Sequence, residues 1–159
     1  MILARQIWTD QYVPIVGQQQ VDYMLETYQN KKDLITQLQE GYEYYTIARD
    51  ERLVGYMALV PKEHMLLLSK IYVARSERGH GLGQKMLAFA EHICQERGIK
   101  TIYLRVNKNN THSIAWYRHS GFEKGRSLIQ NIGNGFFMDD YEMEKSIADC
   151  SQSHHIFKT

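Results

Sequence analysis

The segment Ile71-Tyr72-Val73-Ala74-Arg75-Ser76-Glu77-Arg78-Gly79-His80-Gly81-Leu82-Gly83-Gln84 places three of the chain's 11 glycines at alternate positions. The residues before the glycines are typical of a strand. Those after them put Leu82, Met86 and Ile93 on one helical stripe that ends at Arg97-Gly98. A strand that enters such a turn and then a helix leaves the first helical amides without an intrahelical partner. Those amides and the positive end of the helix dipole attract an anion.

The charges around these glycines favour a diphosphate as the anion, because Arg75, Arg78, His80 and Lys85 lie in or beside the turn. Two common nucleotide motifs are excluded by spacing. The dinucleotide fingerprint G-x-G-x-x-G fails because Gln84 or Met86 stands at its third glycine, and no G-x-x-x-x-G-K-[ST] motif occurs. Without further signals, a tight strand-to-helix turn explains the cluster as well as a binding site does.

The rest of the chain predicts an α/β (α+β) fold with a single mixed, mostly antiparallel sheet and helices on both faces. The first forty residues predict two short helices separated near Asn30-Lys31, and both prolines, Pro14 and Pro61, are expected at breaks. A further short helix is expected at Ser113–His119. Segments rich in β-branched and aromatic residues predict the strands, which are 44–48, 53–60, 64 or 65 to 73, 99–106, 122–132 and 136–145.

The composition predicts one globular domain over residues 1–146, followed by a polar, disordered tail at 147–159. The chain has 159 residues, is 43% apolar and carries a formal net charge of +1, which argues against a general nucleic-acid binder. No apolar run approaches the roughly 20 residues that span a bilayer, so we expect no membrane partner and a cytoplasmic location. Cys94 and Cys150 show no zinc-ligand spacing, and no metal is expected.

Two segments match the motifs of one superfamily. Arg78, Gly81 and Gly83 occupy every fixed position of [Arg/Gln]-x-x-Gly-x-[Gly/Ala], so the segment resembles the acetyl-CoA signature of the GCN5-related N-acetyltransferase (GNAT) superfamily. A second resemblance comprises Leu104-x-Val106, then Asn110-x-x-Ser113-Ile114-Ala115-Trp116-Tyr117, then Gly121-Phe122. Together they cover about residues 44–145. The resemblance implies the GNAT acyl-CoA N-acyltransferase fold, acetyl-CoA as cosubstrate and transfer of its acetyl group to an amine.

The resemblance also implies roles for individual residues. Tyr117 is similar to the family's general acid, which protonates the departing CoA thiolate. The end of the strand resembles the segment that holds the pantetheine arm and the acetyl carbonyl, and the glycine turn resembles the pyrophosphate cradle. Asn110 resembles a residue that contacts the coenzyme arm or caps the following helix. The predicted coenzyme-binding residues are Ile71, Tyr72, Val73, Arg78, Gly79, His80, Gly81, Leu82, Gly83, Gln84 and Asn110.

The general base has no clear candidate in the sequence. Many relatives place a glutamate on the strand before the coenzyme turn, but here that stretch is Leu67-Leu68-Ser69-Lys70. Glu63 and His64 precede it and could act through water, although exposed turn residues are the favoured interpretation. The base therefore stays unassigned.

The acceptor is expected to be a small amine or a peptide amine, and the resemblance to the superfamily implies that it binds between the N-terminal helices and the last hairpin. Candidate wall residues there are equally good core residues, namely Trp8, Tyr12, Tyr23, Met24 and Tyr28. The acidic Asp139, Asp140 and Glu142 could attract a cationic amine such as a polyamine or lysine, and their segment somewhat resembles bacterial polyamine-type acetyltransferases. A solvated hairpin face is the favoured explanation of these charges.

Two further expectations concern partners and function. Family members usually begin with a strand, whereas residues 1–8 look helical, so a sheet edge would be exposed and a homodimer is expected. A non-catalytic acyl-CoA-binding sensor is the alternative to an enzyme, because a sensor would keep the glycine turn and would not need Tyr117.

Overall fold

The computed structural model describes residues 2–148, which form five α-helices, six strands and one 3-10 turn. In chain order the elements are α1 (Ile2–Val16), α2 (Gln18–Tyr28), α3 (Lys31–Gln39), β1 (Glu43–Arg49), β2 (Arg52–Pro61), β3 (Met65–Val73), the 3-10 turn (Arg75–Glu77), α4 (Leu82–Arg97), β4 (Thr101–Asn107), α5 (Thr111–His119), β5 (Glu123–Gly133) and β6 (Phe136–Ser146). This order confirms the predicted fold class.

The strands form one six-stranded sheet in the order β1-β2-β3-β4-β6-β5. Only β3 and β4 pair in parallel, and the other neighbours are antiparallel, so the prediction of a mixed, mostly antiparallel sheet is confirmed. Among the described residues, β1 and β5 lie at the sheet edges. The homodimer that an exposed edge suggested stays a prediction.

Helices cover both faces of the sheet and define two apolar clusters. On one face α4 packs over β2, β3, β4 and β6, burying Leu66, Leu87 and Met143 in what we call the α4-side core. On the other face α1 and α2 bury Ile7 and Val21 in the α1-side core. Because the sheet lies between two apolar layers, its alternating side chains are buried on both faces.

A β-bulge in β3 changes which of the two cores the even-numbered side chains of the strand pack in. Ala58 pairs with Lys70 and Leu59 with Leu68, so Ser69 has no partner across the strand. Side chains at alternate positions normally share a face, but the extra residue reverses that relation. Leu68 therefore packs in the α4-side core, whereas Tyr72 packs in the α1-side core.

The N-terminal segment forms three helices, so the prediction of two is wrong. The unpredicted break lies at Gly17, whose φ of 86° is a left-handed conformation that ends α1 and precedes α2. A break in the helix was expected at Pro14, but Pro14 lies in the last turn of α1. The break falls three residues later, at Gly17. The predicted boundary near Asn30 is confirmed. The Asn30 side chain caps α3 by accepting a 3.0 Å hydrogen bond from the Asp33 amide.

The C-terminal strand leads directly into the core. Ile147, the first residue of the predicted tail, packs in the α4-side core, and its amide donates to the Lys100 carbonyl at 2.8 Å. The rest of that tail, from residue 149, lies outside the described residues.

Lys70 is a buried amine that joins α3 to the sheet. Only 8% of the residue is exposed, and its Nζ donates to Gln37 at 2.8 Å and to the Tyr44 hydroxyl. Burial lowers the pKa of Lys70 to about 8. The ammonium is therefore less favourable in the folded protein than in the unfolded chain.

This shift predicts a pH-dependent stability. Below pH 8 Lys70 is charged in both states; between pH 8 and 10.5 the folded state loses a proton that the unfolded chain keeps, so stability rises with pH. We expect the free energy of unfolding of the wild type to rise relative to Lys70→Met across this window, by up to about 3 kcal/mol. Urea unfolding at pH 7 and pH 10 measures it. The exposed Lys62→Met is the control, and a pH-independent difference for Lys70→Met would contradict the account.

Candidate active site

The two central strands separate along their length and leave an opening in the sheet. They are paired only at Met65 with Thr101, Leu66 with Ile102 and Leu67 with Tyr103. Beyond these pairs β3 continues to Val73 and β4 to Asn107. Ser69, the bulged residue, follows the last pair by two positions, and a bulge bends and twists its strand. A wedge-shaped gap therefore opens toward the carboxyl ends of both strands.

The backbone of β3 faces this gap at two positions. The Ala74 amide donates to the Val54 carbonyl at 2.8 Å, and in an antiparallel pair hydrogen-bonded residues alternate with non-hydrogen-bonded ones. The amides and carbonyls of Val73 and Ile71 therefore point away from β2 and toward the gap. The Val73 carbonyl accepts from Arg78 Nε at 3.1 Å, in agreement with this direction. A ligand in the gap can pair with this strand as a further strand would.

The glycine turn ends beside the mouth of the gap. Gly79 and Gly81 have φ angles of 81° and 74°, a region that favours glycine. Gly81 precedes α4 and offers no side-chain cap, so the amides of the first turn have no cap from the residue before them. No heavy atom lies within 4 Å of a Cβ built at Gly79 or Gly81, so the space beside the turn is open. The predicted turn-to-helix arrangement is present, and it suits a diphosphate.

The cations of the turn contact only neutral groups of the described chain. Arg78 donates to the Val73 carbonyl and, at 3.3 Å, to Gln11 of α1, while His80 Nδ1 lies 3.2 Å from the Glu77 carbonyl. Within residues 2–148 no carboxylate is in direct contact with Arg78, so the charge of its guanidinium is not compensated there. The local positive charge predicted around the turn is therefore available to an anion.

The helix α5 is fixed beside the start of α4. A Cβ at Gly83 would lie 3.3 Å from the Trp116 ring, so a small residue is needed where the helices approach. Gln84 donates to the Ser120 hydroxyl at 2.9 Å. Asn110 is buried and caps α5 by accepting from the Ser113 amide at 3.2 Å. The signature residues thus hold α4 and α5 together at the gap.

Tyr117 projects from α5 toward the opening. Its ring lies 5.1 Å from that of Trp116 and 5.6 Å from that of Phe122. Burial raises the pKa of Tyr117, with the Tyr12 phenol as a second, smaller cause. No residue within 2–148 hydrogen-bonds to the Tyr117 hydroxyl. The group is a protonated phenol at neutral pH and has a donor hydrogen available.

Two further phenols, those of Tyr12 and Tyr72, interact with Tyr117 and lie on the other face of the sheet. The hydroxyls of Tyr12 and Tyr72 lie 2.9 Å apart, and Tyr72 interacts electrostatically with Tyr117. Tyr12 and Tyr72 belong to the α1 side, whereas Tyr117 packs against the α4-side core. The three phenols therefore surround the opening from both faces.

The predicted acceptor-wall residues divide into core and wall. Trp8 and Met24 are buried in the α1-side core, and Trp8 donates to the Tyr56 hydroxyl at 3.0 Å. Tyr23 and Tyr28 instead donate to one carbonyl, that of Ile132 near the tip of the β5–β6 hairpin, at 2.8 and 2.9 Å. These bonds join α2 to the hairpin, along one side of the region where the sequence predicts the acceptor.

The solvated-face interpretation of the acidic residues of β6 is wrong for Glu142, whereas the Asp139 side chain is 50% exposed. Glu142 is only 6% exposed and pairs with Arg126 at 2.9 Å and Arg105 at 3.6 Å. Asp139 pairs with Lys108 at 2.5 Å. Asp140 forms the last pair of the β4–β6 ladder, with Asn107, and its Oδ1 is buried and has no hydrogen-bond partner among the described residues.

Glu63 and His64 lie outside the site. They occupy the turn before β3, roughly 30 Å along the chain from Val73, and their side chains are highly exposed. This position fits the favoured interpretation of exposed turn residues. The sequence reasoning instead overlooked Asp140 as an individual group. Strand alternation offered a signal, since it places Asp140 on one face with Met138 and Glu142.

The comparisons with known proteins agree with this geometry. The sequence model of the Acetyltransferase (GNAT) family matches residues 3–122. A protein of Bacillus subtilis subsp. natto (strain BEST195) described as "Probable spermine N(1)-acetyltransferase" is 35% identical over 71 residues, 44% of this chain and 47% of that protein. The chain spans about half the length of the curated relatives it matches. The chain belongs to the GNAT acetyltransferase family.

Solved structures of similar fold include enzymes of this family. The PaiA N-acetyltransferase of Thermoplasma acidophilum in complex with coenzyme A has a TM-score of 0.76 and 21% identity, covering 91% of this chain and 89% of that one. The ribosomal-protein-alanine N-acetyltransferase of Brucella melitensis has a TM-score of 0.60 and 28% identity, covering 72% and 75%. Within residues 2–148, no helix is long and apolar enough to cross a membrane.

Proposed function

We propose that the protein is an acetyl-CoA-dependent N-acetyltransferase in which a primary amine attacks the acetyl group directly, in a ternary complex. The observation that carries the proposal is the gap between β3 and β4, where the backbone of Ile71 and Val73 lies beside the start of α4. A diphosphate at the helix amides and an extended arm along β3 would occupy adjoining surfaces. The coenzyme supplies an activated acetyl thioester when bound.

The gap would hold the reacting carbonyl next to the β3 backbone. An amide of Ile71 or Val73 that points into the gap is a fixed donor, and a fixed donor stabilises the negative charge that develops on an attacked carbonyl oxygen. These amides are held by the pairing of β2 with β3, so they need no rearrangement. The amides of Leu82 to Gln84 would hold the diphosphate at the same time.

Tyr117 would act as the general acid. Cleavage of the thioester produces a thiolate, which departs more readily when it receives a proton. Burial raises the pKa of Tyr117, so the phenol keeps its proton until a strongly basic group is formed beside it. The available hydroxyl and its position at the opening support this role.

The acceptor would enter from the α1 side, between α1, α2 and the β5–β6 hairpin. This side carries the tyrosines of α1 and β3 together with Asp140 of β6, which interacts electrostatically with Tyr12. Such a lining suits a cationic primary amine of the polyamine or amino-acid type, and the similarity to a relative described as a spermine acetyltransferase supports that class.

The assay that tests the function follows thiol release from acetyl-CoA with spermine, spermidine, lysine and an alanine-ended peptide. Thermal stabilisation by coenzyme A, NAD and ATP is measured in parallel. We expect turnover with at least one amine and stabilisation by coenzyme A alone. Stabilisation by NAD or ATP without coenzyme A would overturn the assignment. Coenzyme A binding without turnover would favour the non-catalytic sensor, the alternative that keeps the glycine turn and does not use Tyr117.

A pair of glycine variants tests the diphosphate site. Gly81 and Gly98 flank the two ends of α4, with φ angles of 74° and 67° and open space around each. Alanine at either position strains the backbone by about 1 kcal/mol, so both variants should lose similar stability. Only Gly81→Ala should weaken coenzyme A binding, by about tenfold or more, because it perturbs amides that bond a charged group. Calorimetry measures the affinity, and equal affinities in the two variants would remove the turn from the site.

Replacing Tyr117 tests the general acid. Tyr117→Phe keeps the ring packing on Trp116 and removes the donor hydroxyl, so we expect kcat to fall about 100-fold while coenzyme A affinity changes less than about threefold. Tyr45→Phe is the matched control, because it removes a phenol hydroxyl that donates to Glu43 on β1, two strands away from β3. Steady-state kinetics and calorimetry provide the two readouts. Wild-type turnover in Tyr117→Phe would exclude Tyr117 from the mechanism.

A further inference from the structure

Asp140 lies beside the carboxyl end of β4, the strand that forms one side of the gap, and on the face from which the acceptor would enter. It pairs across the ladder with Asn107, the last residue of β4. Met138, two positions earlier on the same strand and therefore on the same face, packs against the α1-side core. The Asp140 carboxylate also interacts electrostatically with the Tyr12 phenol. The side chain thus faces the α1 side of the sheet, opposite the α4 side where Tyr117 packs.

Asp140 differs from its acidic neighbours in lacking a cation in direct contact within residues 2–148. Asp139 pairs with Lys108, and Glu142 pairs with two arginines. Asp140 Oδ1 is buried and receives no hydrogen bond from the described residues. A buried carboxylate oxygen without a donor is unfavourable, and a bound ammonium would supply the missing donor and the opposite charge.

We propose that Asp140 binds the ammonium group of the acceptor and takes up the proton that must leave before the nitrogen can attack. This inference rests on the N-acetyltransferase function proposed above and narrows its acceptor to a primary amine that is protonated in solution. It also assigns the general base, for which the sequence offered no candidate.

The proton and bond changes balance with the groups present. An amine with a pKa near 10.4 is almost wholly protonated at pH 7, so one proton passes from its nitrogen to the Asp140 carboxylate. The nitrogen lone pair then forms the C–N bond to the acetyl carbon, and the C–S bond breaks with its electron pair on sulfur. Tyr117 protonates the sulfur and is restored by the second nitrogen-bound proton, while Asp140 releases the first one to water.

The surroundings of Asp140 set the pH at which it can act. The pKa of Asp140 is raised to about 6, chiefly by burial and also by the neighbouring Asp139, while Arg105 and Lys108 oppose the shift. The carboxylate is therefore ionised above about pH 6 and protonated below it. We expect kcat/KM to rise with pH through about 6, because only the ionised form can accept the proton.

The test replaces Asp140 with the isosteric amide. The first substrate is the amine of the assay above that the wild type acetylates fastest. With it, Asp140→Asn should lower kcat by about 100-fold or more. The rise of kcat/KM with pH near pH 6, which we call the acid limb, should disappear in this variant. With aminoacetonitrile, a weakly basic amine that is already neutral at pH 7, the loss should be less than about tenfold. Coenzyme A affinity should be unchanged. The unliganded variant should melt at least about 2 °C above the wild type at pH 7, since a buried, unpaired charge is gone.

Asp139→Asn is the matched control. It keeps Asp140 and removes one neighbouring negative charge, so activity should remain and the acid limb should move to lower pH. An acid limb that persists near pH 6 in Asp140→Asn, or a rate within threefold of wild type with the basic amine, would overturn the assignment. A wild type that acetylates no amine in the panel would instead contradict the proposed function, whereas an active wild type with an equally active Asp140→Asn contradicts Asp140 alone.

Discussion

The separation of β3 from β4 is the constraint on which the site depends. Three parallel pairs hold the strands together at one end, and the bulge at Ser69 turns β3 away from β4 at the other. Elsewhere in a sheet an unpaired central strand would leave its backbone groups without partners, which is unfavourable in a protein interior. Here the unpaired amides and carbonyls of Ile71 and Val73 line an opening that an extended ligand can fill. The same bulge sends Tyr72 to the α1 side, where its hydroxyl meets Tyr12.

The sheet separates two kinds of chemistry. On the α4 side lie the glycine turn, the start of α4 and Tyr117, all suited to an anionic ligand and its leaving group. On the α1 side lie Tyr12, Tyr72 and Asp140, suited to a cationic amine. The opening is the place where groups from both sides meet. The proposed direct attack would use this arrangement, because the amine must reach the carbonyl of the bound thioester from the side that the coenzyme leaves open.

The sequence predicted best where local patterns decide the structure. The glycine turn between a strand and a helix, the Asn30 boundary and the glycine after Arg97 are local signals, and the structure contains all three. The sequence did not single out Gly17, because proline is the stronger signal for a helix break and Pro14 lies close by. A proline in the last turn of a helix, however, removes only one hydrogen bond. The bulge at Ser69 and the parting of β3 from β4 depend on pairing between distant strands, which no local pattern records.

The acidic residues of β6 show why charge patterns alone could not locate the acceptor side. Asp139, Asp140 and Glu142 look equivalent in sequence, but their environments differ in the cations that other strands supply. Arg105 and Arg126 come from the strands on either side of β6 and compensate Glu142, so its burial is structural. Within residues 2–148 no cation contacts the Asp140 side chain directly, and Arg105 and Lys108 act on it only from a distance, so its burial is compensated only in part. A folded chain that keeps such a group at the mouth of its site bears a stability cost that a bound cation would remove.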